Sequence, residues 1–280
     1  MSPIQSILLH VDASRHCADR LKLAQQLAEP HHATVTAMFA ELPASMRYPY
    51  TFTVGPEVYS VMQQYEAARI ERAKVLFEKS PLSTQSVSQW LVSHGDPVQE
   101  LVRQAWFSDL MIIGQKEPEN DDRPDLPNSW VESVLVLSGK PTLVVPYMGV
   151  PRLPGRHILV AWKETRESAR ALSAALPFLQ KADKVHVANW FTESVSNHRE
   201  TGSVAQLEAY LRHHEVMPTF HLHGKGTPKV GEELLSLAAD LEIDMIVMGA
   251  YGHSRAREWV LGGVTRTLLE SMTVPLFMVH

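Results

Sequence analysis

Asp244-Met-Ile-Val-Met-Gly249 is a short apolar run between an acid and a glycine, and nearly the same run occurs earlier, as Asp109-Leu-Met-Ile-Ile-Gly114. Other apolar runs recur in the same order around both. They open and close each copy, at 7–11, 140–145, 158–162 and 273–279. Self-similarity at so long a spacing indicates a duplicated domain rather than a solenoid of short repeats.

Within each copy, apolar runs alternate with segments of helical spacing. Strands are predicted near 4–11, 33–39, 86–93, 109–114, 141–146, 157–162, 184–190, 216–223, 244–249 and 274–279. Helices are predicted near 15–29, 57–78, 97–107, 129–137, 166–179, 201–214, 229–240 and 262–271. Ser14 and Thr165 follow the first run of each copy and are the predicted N-caps of the next helix.

The alternation of strands and helices favours a parallel, doubly wound sheet. The apolar runs are mostly continuous, which is typical of strands covered on both faces. We therefore expect an α/β protein of two Rossmann-like domains, at 1–146 and 156–280, each with a five-stranded parallel sheet flanked by helices.

Composition excludes several classes of protein. The 280 residues hold 26 Lys+Arg and 31 Asp+Glu, a net charge of −5, so a basic surface for nucleic acid or an anionic membrane is not expected. The lone Cys17 excludes an intrachain disulfide and Cys-rich zinc sites, and it fits a reducing compartment. No run approaches the roughly 18 apolar residues of a membrane span, and the first segment has no signal-peptide core. We expect a cytoplasmic protein.

Four of the 14 glycines fall in the segment Gly249-Ala-Tyr-Gly-His-Ser-Arg-Ala-Arg-Glu-Trp-Val-Leu-Gly-Gly263. It follows a predicted strand and leads into a predicted helix. Glycine lets the backbone approach a ligand closely, and the N–H groups at a helix start form an anion site. Arg255, Arg257 and Arg266 add positive charge, so a phosphate ester is the predicted ligand. The alternative is that these glycines serve only a tight turn and a close contact between helix and sheet.

This segment resembles the nucleotide-binding signature of the universal stress protein family: Gly, two residues, Gly, nine residues, Gly, then Ser or Thr. Gly249, Gly252 and Gly262 match it, whereas Gly263 stands where the family has a hydroxyl. The residues around the motif that also fit are Met248, Val264 and Thr265. The resemblance covers nearly the whole chain as a tandem pair. It implies a stress-response protein that binds ATP, AMP or another adenine nucleotide, with Mg²⁺ as an open question, across the carboxyl ends of the strands.

The resemblance implies further site residues in the second copy. Lys163, after Ala161 and Trp162, holds the place where the family has an Asp near the adenosine. Lys163 could approach a phosphate or spoil the adenosine side of the pocket. Asn189 is expected to present backbone atoms to the base. His253 either donates to a phosphate or is simply exposed to solvent.

The first copy has the reverse pattern. Asp12 holds the family's Asp position, but Gly114 is followed by a segment without glycines, in which residues 117–125 carry five acids and one Arg. Carboxylates repel phosphate, and proline removes amide donors. We predict a degenerate site that does not bind nucleotide.

Other chemistry finds less support in the sequence. His221 and His223 share one face of a predicted strand, but no convergent carboxylate accompanies them, so no metal site is predicted. No catalytic residue can be nominated, and no Mg²⁺-binding carboxylate or water-positioning group stands out, although slow ATP hydrolysis stays open. We therefore expect regulation by nucleotide binding, with a homodimer or a protein partner as further options. The alternative is an interaction scaffold of the same fold that binds no nucleotide.

Overall fold

The structure is a computed structural model of the chain. It describes residues 4–43, 46, 56–84, 88–117, 126–150, 153–190, 197–223, 229–251 and 263–280. The chain divides into two compact units. The first unit comprises Ser2–Lys140 and Tyr147–Gly149, and the second comprises Pro141–Pro146 and Val150–His280.

The first unit is a parallel sheet with helices between its strands. Its strands are β1 (Ser6–Val11), β2 (Thr34–Phe39), β3 (Ser88–Val92) and β4 (Leu110–Gly114), and its helices are α1 (Cys17–Ala28), α2 (Pro56–Lys79), α3 (Pro97–Ala105) and α4 (Trp130–Ser138). The strand order is β3-β2-β1-β4, and every pairing is parallel. Short 3₁₀ turns at Glu29–His31 and Pro81–Thr84 lead into β2 and β3.

The second unit repeats this plan and adds one strand. Its strands are β5 (Thr142–Val145), β6 (His157–Trp162), β7 (Lys184–Trp190), β8 (Pro218–His223), β9 (Met245–Gly249) and β10 (Leu276–Val279), and its helices are α5 (Arg166–Leu179), α6 (Asn197–His213), α7 (Val230–Asp240) and α8 (Gly263–Ser271). The order is β5-β10-β9-β6-β7-β8. Strands β6 to β10 form the predicted five-stranded parallel sheet.

The last strand of the first repeat, β5, belongs to the second unit. β5 pairs with β10 of the second unit, and the pairing is antiparallel, with Leu143 opposite Phe277. All four residues of β5 and all four of β10 are buried. An apolar strand left at a sheet edge would expose unpaired backbone groups, and this pairing covers them.

The acids of the repeated run hold the start of each sheet together. Asp109 Oδ2 accepts hydrogen bonds from the backbone N–H groups of Gln5 and Ser6, both at 2.9 Å. Asp244 does the same in the second unit, where the N–H of Gly155 donates to Oδ1 at 2.8 Å and that of Arg156 to Oδ2 at 3.1 Å. The repeated acid of the two runs therefore has the same role in both copies: its carboxylate accepts hydrogen bonds from backbone N–H groups at the start of the copy's first strand.

The two predicted helix caps have different outcomes. Thr165 is confirmed as the N-cap of α5, because its side chain accepts a hydrogen bond from the N–H of Ser168. The prediction for Ser14 is wrong, because α1 begins at Cys17 with His16 in the N-cap position. Ser14 belongs instead to the preceding turn, where its N–H donates to Asp12 Oδ1 at 2.9 Å.

Continuous burial of the strands builds the core of each unit. Every residue of β4 is buried, and so are Met245 to Met248 of β9. The flanking helices bury one face each, as α3 does with Leu101 and Val102. Within the described part of the chain, no helix is both long and apolar enough to cross a membrane.

Candidate ligand site

The candidate site lies at the carboxyl edge of the second unit's sheet, where β6 and β9 are neighbours. From β6 the chain builds β7 and β8 on one side and then returns to β9 on the other, so the strand order reverses between β6 and β9. In doubly wound sheets this reversal opens a crevice beyond the strand ends, and ligands bind there. Ala161 is in register with Met248. The structure thus brings these two nominated residues together beside the crevice.

Gly249, the last residue of β9, supports the first turn of α5. A Cβ atom added at Gly249 would lie 2.5 Å from the backbone nitrogen of Ser168 and 2.6 Å from the backbone carbonyl carbon of Glu167. Backbone cannot yield as the end of a flexible side chain can, so packing alone requires glycine here. The sequence nominated Gly249 for a ligand, and the structure gives it a role in holding α5 against the sheet.

The start of α8 supplies the other side of the candidate site. Because α8 leads into β10, which runs parallel to β9, the helix begins at the carboxyl edge of the sheet. Gly263, its first residue, is exposed, and a Cβ added there would meet no atom within 4 Å in the described part of the chain, its own neighbours apart. Val264 is half-buried, and Thr265 is buried. Gly252, His253 and Gly262, with Arg255 and Arg257, lie outside the described residues.

The remaining nominated residues are at the end of β6 and its neighbour β7. Trp162 and Asn189 are in register, and both are half-buried. Lys163 follows Trp162 and is exposed. The indole Nε1 of Trp162 is buried and has no hydrogen-bond partner in the described chain. Asn189 and Trp162 therefore lie side by side at the carboxyl ends of β7 and β6, and β6 is the strand next to β9.

Sequence reasoning missed Glu167, in the first turn of α5. Its side chain is 1% exposed, and one carboxylate oxygen, Oε1, accepts a hydrogen bond from Arg166 Nε at 2.5 Å. Burial alone would raise the pKa of Glu167, but hydrogen bonding to the carboxylate, of which the bond from Arg166 is the largest contribution, outweighs burial and lowers the pKa. No spacing rule would single out an acid in a first helical turn, where acids are common.

The corresponding place in the first unit is filled by the protein's own side chains. The Asp12 carboxylate pairs with the Arg20 guanidinium, and both groups are buried. A Cβ at Gly114 would lie 2.7 Å from Arg20 Nη1. Burial would raise the pKa of Asp12, but Arg20 and then His10 hold it below its ordinary value.

More buried polar groups surround this pair at the same sheet edge. Arg69 of α2 makes two hydrogen bonds to Glu41, at 2.7 and 2.8 Å. Glu117, which follows β4, is buried near Asp12, and burial together with Asp12 raises the pKa of Glu117. Residues 118–125, which hold the other acids of the predicted repulsive segment, lie outside the described chain.

Histidines pair with each other and with an aromatic ring on the second sheet. His186 Nδ1 lies 2.9 Å from His221 Nε2, and His223 stacks on Trp190 with ring centroids 4.6 Å apart. Burial and then the neighbouring imidazoles lower the pKa of both His186 and His221. Among the described residues, no group of three or more His, Cys, Asp and Glu is suited to a metal ion.

Cys17 is a packing residue of α1. Its side chain is fully buried, and burial raises the pKa of the thiol to about 12. A thiol in this state is inert as a nucleophile.

Comparison with known proteins supports the fold over the whole chain. A universal stress protein from Archaeoglobus fulgidus superimposes with a TM-score of 0.71 at 16% identity, covering 98% of this chain and 95% of that one. A functionally unknown protein from Pseudomonas aeruginosa gives a TM-score of 0.62 at 15% identity, covering 99% and 92%. At these identities the likeness shows the fold alone. No curated protein sequence matches the chain.

The family model adds evidence from the sequence. The model of the universal stress protein family matches residues 155–280, which include β6 to β10 and the crevice between β6 and β9. By this match, residues 155–280 are a universal stress protein domain.

Proposed function

We propose that this protein is a cytoplasmic stress-response protein that binds an adenine nucleotide, ATP or AMP, in the crevice between β6 and β9. The observation that carries the proposal is the exposed start of α8, where none of the described residues other than its own neighbours lies within 4 Å of a Cβ added at Gly263. The N–H groups and dipole of a helix start favour an anion such as phosphate. Mg²⁺ enters only as the ion that accompanies ATP in solution.

The role that we propose for the nucleotide is regulatory. A bound ligand shifts a conformational equilibrium only if it binds one arrangement better than another. The glycine-containing segment 252–262 and the first turn of α8 are the parts that we expect to respond, because in this proposal both contact the phosphates. Ala161, Trp162, Lys163 and Asn189 are then on the nucleoside side of the site.

The first unit does not bind nucleotide in this proposal. Arg20 already neutralises Asp12, and the Arg20 side chain lies against Gly114, where a ligand would approach β4. Glu117 adds a buried acid at the same edge. A phosphate would have to displace a buried ion pair and approach a second carboxylate, and both steps are unfavourable.

A second candidate is the interaction scaffold, or a homodimer, that needs no nucleotide. One observation favours it: Trp106 and Phe107, after α3, are 55% and 79% exposed. Leu241 and Glu242 occupy the equivalent turn after α7 in the second unit, so the fold does not require two large exposed aromatic residues there. Exposed apolar clusters of this kind mark interaction surfaces.

One experiment separates the two candidates. The protein is purified, denatured and searched for released nucleotide by mass spectrometry, and its thermal unfolding is then followed with millimolar ATP or AMP. A binder gains about 2.7 kcal/mol of stability at a ligand concentration of one hundred times the Kd. A protein that releases no nucleotide and shows no thermal shift is the scaffold.

Charge variants at one position localise the binding. Gly263→Asp puts a negative charge at the start of α8, where it repels phosphate but suits the helix dipole, so folding is retained. We expect this variant to lose the thermal shift, while Gly263→Ala retains it. Ser129→Asp, immediately before α4 of the first unit, is the matched control and should leave binding unchanged.

A further inference from the structure

We infer that Glu167 is the residue that selects the nucleoside part of the ligand, by accepting a hydrogen bond at Oε2 from a ligand hydroxyl or amine. The inference rests on the proposed function and names a specificity-determining residue for that site.

The evidence begins with an unsatisfied atom. Glu167 is 1% exposed, and Oε2 has no hydrogen-bond partner in the described chain, whereas Oε1 is held by Arg166. A buried carboxylate oxygen without a donor is costly, and such atoms are rare in folded proteins. A donor from outside the protein removes that cost.

The position of Glu167 identifies the donor. The first turn of α5 lies directly on Gly249, and a Cβ there would lie 2.9 Å from the Cβ of Glu167. Glu167 is therefore at the crevice between β6 and β9. Phosphate is excluded as its partner, because two anions repel each other. With the phosphates at the start of α8, the nucleoside is the part of the ligand that reaches α5, and its donors are the ribose hydroxyls and the base amine.

A second unsatisfied atom supports the same conclusion. The Nε1–H of Trp162, at the end of β6, is a buried donor without a partner in the described chain. Nucleosides carry acceptors as well as donors on the ribose and the base edge, so one ligand can satisfy both atoms. The crevice thus offers an acceptor from α5 and a donor from β6.

A purely structural role for Glu167 is a weaker explanation. The Arg166 side chain is 57% exposed, and ion pairs with an exposed partner contribute little to stability. The ion pair with Arg166 alone would not explain why Glu167 is buried with its Oε2 atom unbonded.

Calorimetric titration of the full-length protein tests the inference. ATP is titrated into the wild type, Glu167→Gln and Glu167→Ala, with Glu164→Gln as the matched control, because Glu164 is exposed three residues away and carries the same charge. We expect both Glu167 variants to bind roughly 10- to 100-fold more weakly, as for a lost hydrogen bond to a charged group. Glu164→Gln should bind like the wild type.

Nucleotide analogues then identify the donor. The analogues are 2′-deoxy-ATP, 3′-deoxy-ATP and purine riboside triphosphate, which lacks the 6-amine. The wild type should bind the analogue that lacks the partner of Glu167 more weakly than it binds ATP. Glu167→Gln should bind that analogue and ATP equally well, because the variant has already lost the hydrogen bond. Glu167 variants that fold and bind ATP like the wild type would overturn the inference. A wild type that binds no nucleotide would instead overturn the proposed function.

Discussion

Arg20 of α1 and Asp12 at the end of β1 form an ion pair inside the first unit, and their side chains are only 3% and 1% exposed. The second repeat has Ala171 and Lys163 at the corresponding positions, so it cannot form this pair. The two repeats thus differ in electrostatics at the edge where doubly wound sheets bind ligands. In the first repeat the charge of Asp12 is neutralised by Arg20. In the second repeat the charge of Lys163 has no such partner at the position of Ala171 and is left to solvent or to a ligand.

Removing either member of this pair should strongly destabilise the first unit. Asp12→Asn or Arg20→Met leaves one buried charge without its partner, which typically costs about 3–5 kcal/mol. The double variant should cost less than the sum of the two single variants. Urea denaturation of all four proteins measures the coupling, and additive single losses would show that the pair is not coupled.

Gly249 and Gly263 should respond oppositely to the same substitution. Gly249→Ala forces a methyl group into the backbone of α5, and overpacking of this kind costs about 1–3 kcal/mol. Gly263→Ala meets open space at a helix start and should leave stability unchanged or raise it by up to about 1 kcal/mol. Thermal denaturation of both variants checks the difference. Equal effects would contradict the close contact of Gly249 with α5.

Asp109 and Asp244 should contribute similarly to stability, because each accepts backbone hydrogen bonds at the start of a sheet. Asp109→Ala removes the acceptor for the N–H groups of Gln5 and Ser6, and we expect a loss of about 1–3 kcal/mol, with a similar loss for Asp244→Ala. Partial burial raises the pKa of Asp109, but the hydrogen bonds from Gln5 and Ser6 outweigh it and hold the pKa below its ordinary value of 3.8.

This direction of the shift fixes the pH window for Asp109. A carboxyl with a lowered folded pKa contributes stability above its unfolded pKa and loses it as the pH falls through the folded value. The difference in stability between wild type and Asp109→Ala should therefore be constant above about pH 4 and shrink below it. Unfolding measured from pH 2 to 7 tests this, and a difference that grew in acid would have the wrong sign.

His10 should make the first unit less stable as the solution turns acidic. Burial, opposed by Asp12 and assisted by Arg20, lowers the pKa of His10 from 6.5 to about 4. Above pH 6.5 the imidazole is neutral in both states and stability does not depend on it. Below that value the unfolded chain takes up the proton first, so the free energy of unfolding falls until about pH 4 and then levels off.

Denaturation of wild type and His10→Gln between pH 4 and 8 tests this. The slope that depends on His10 can reach about 1.4 kcal/mol per pH unit. The variant should lose that slope whatever its absolute stability. Identical slopes in the two proteins would show that His10 does not carry the effect.

Repeated apolar runs predicted the fold well, because buried parallel strands must be apolar on both faces. All ten strands occur close to their predicted positions. β5 pairs with β10 in the second unit's sheet, and this pairing is antiparallel. A strand of four buried apolar residues carries no signal in its sequence for the direction of its neighbour.

The candidate site was predictable only in part. Glycine spacing led to Gly249 and Gly263, and strand ends led to Trp162 and Asn189. Nothing in the sequence indicated the neutralisation of Asp12 by Arg20 or the unbonded oxygen of Glu167, because both depend on which side chains three-dimensional packing brings to one edge. The packing role of Gly249 was likewise visible only from the distance to α5.

The number of nucleotides bound per chain tests the account most directly. Titration calorimetry of the full-length protein with ATP should give one site per chain, lost in Gly263→Asp and kept in Ser129→Asp. A stoichiometry of two would show that the Asp12–Arg20 pair does not close the first unit. No binding at millimolar ATP would contradict the proposed function itself.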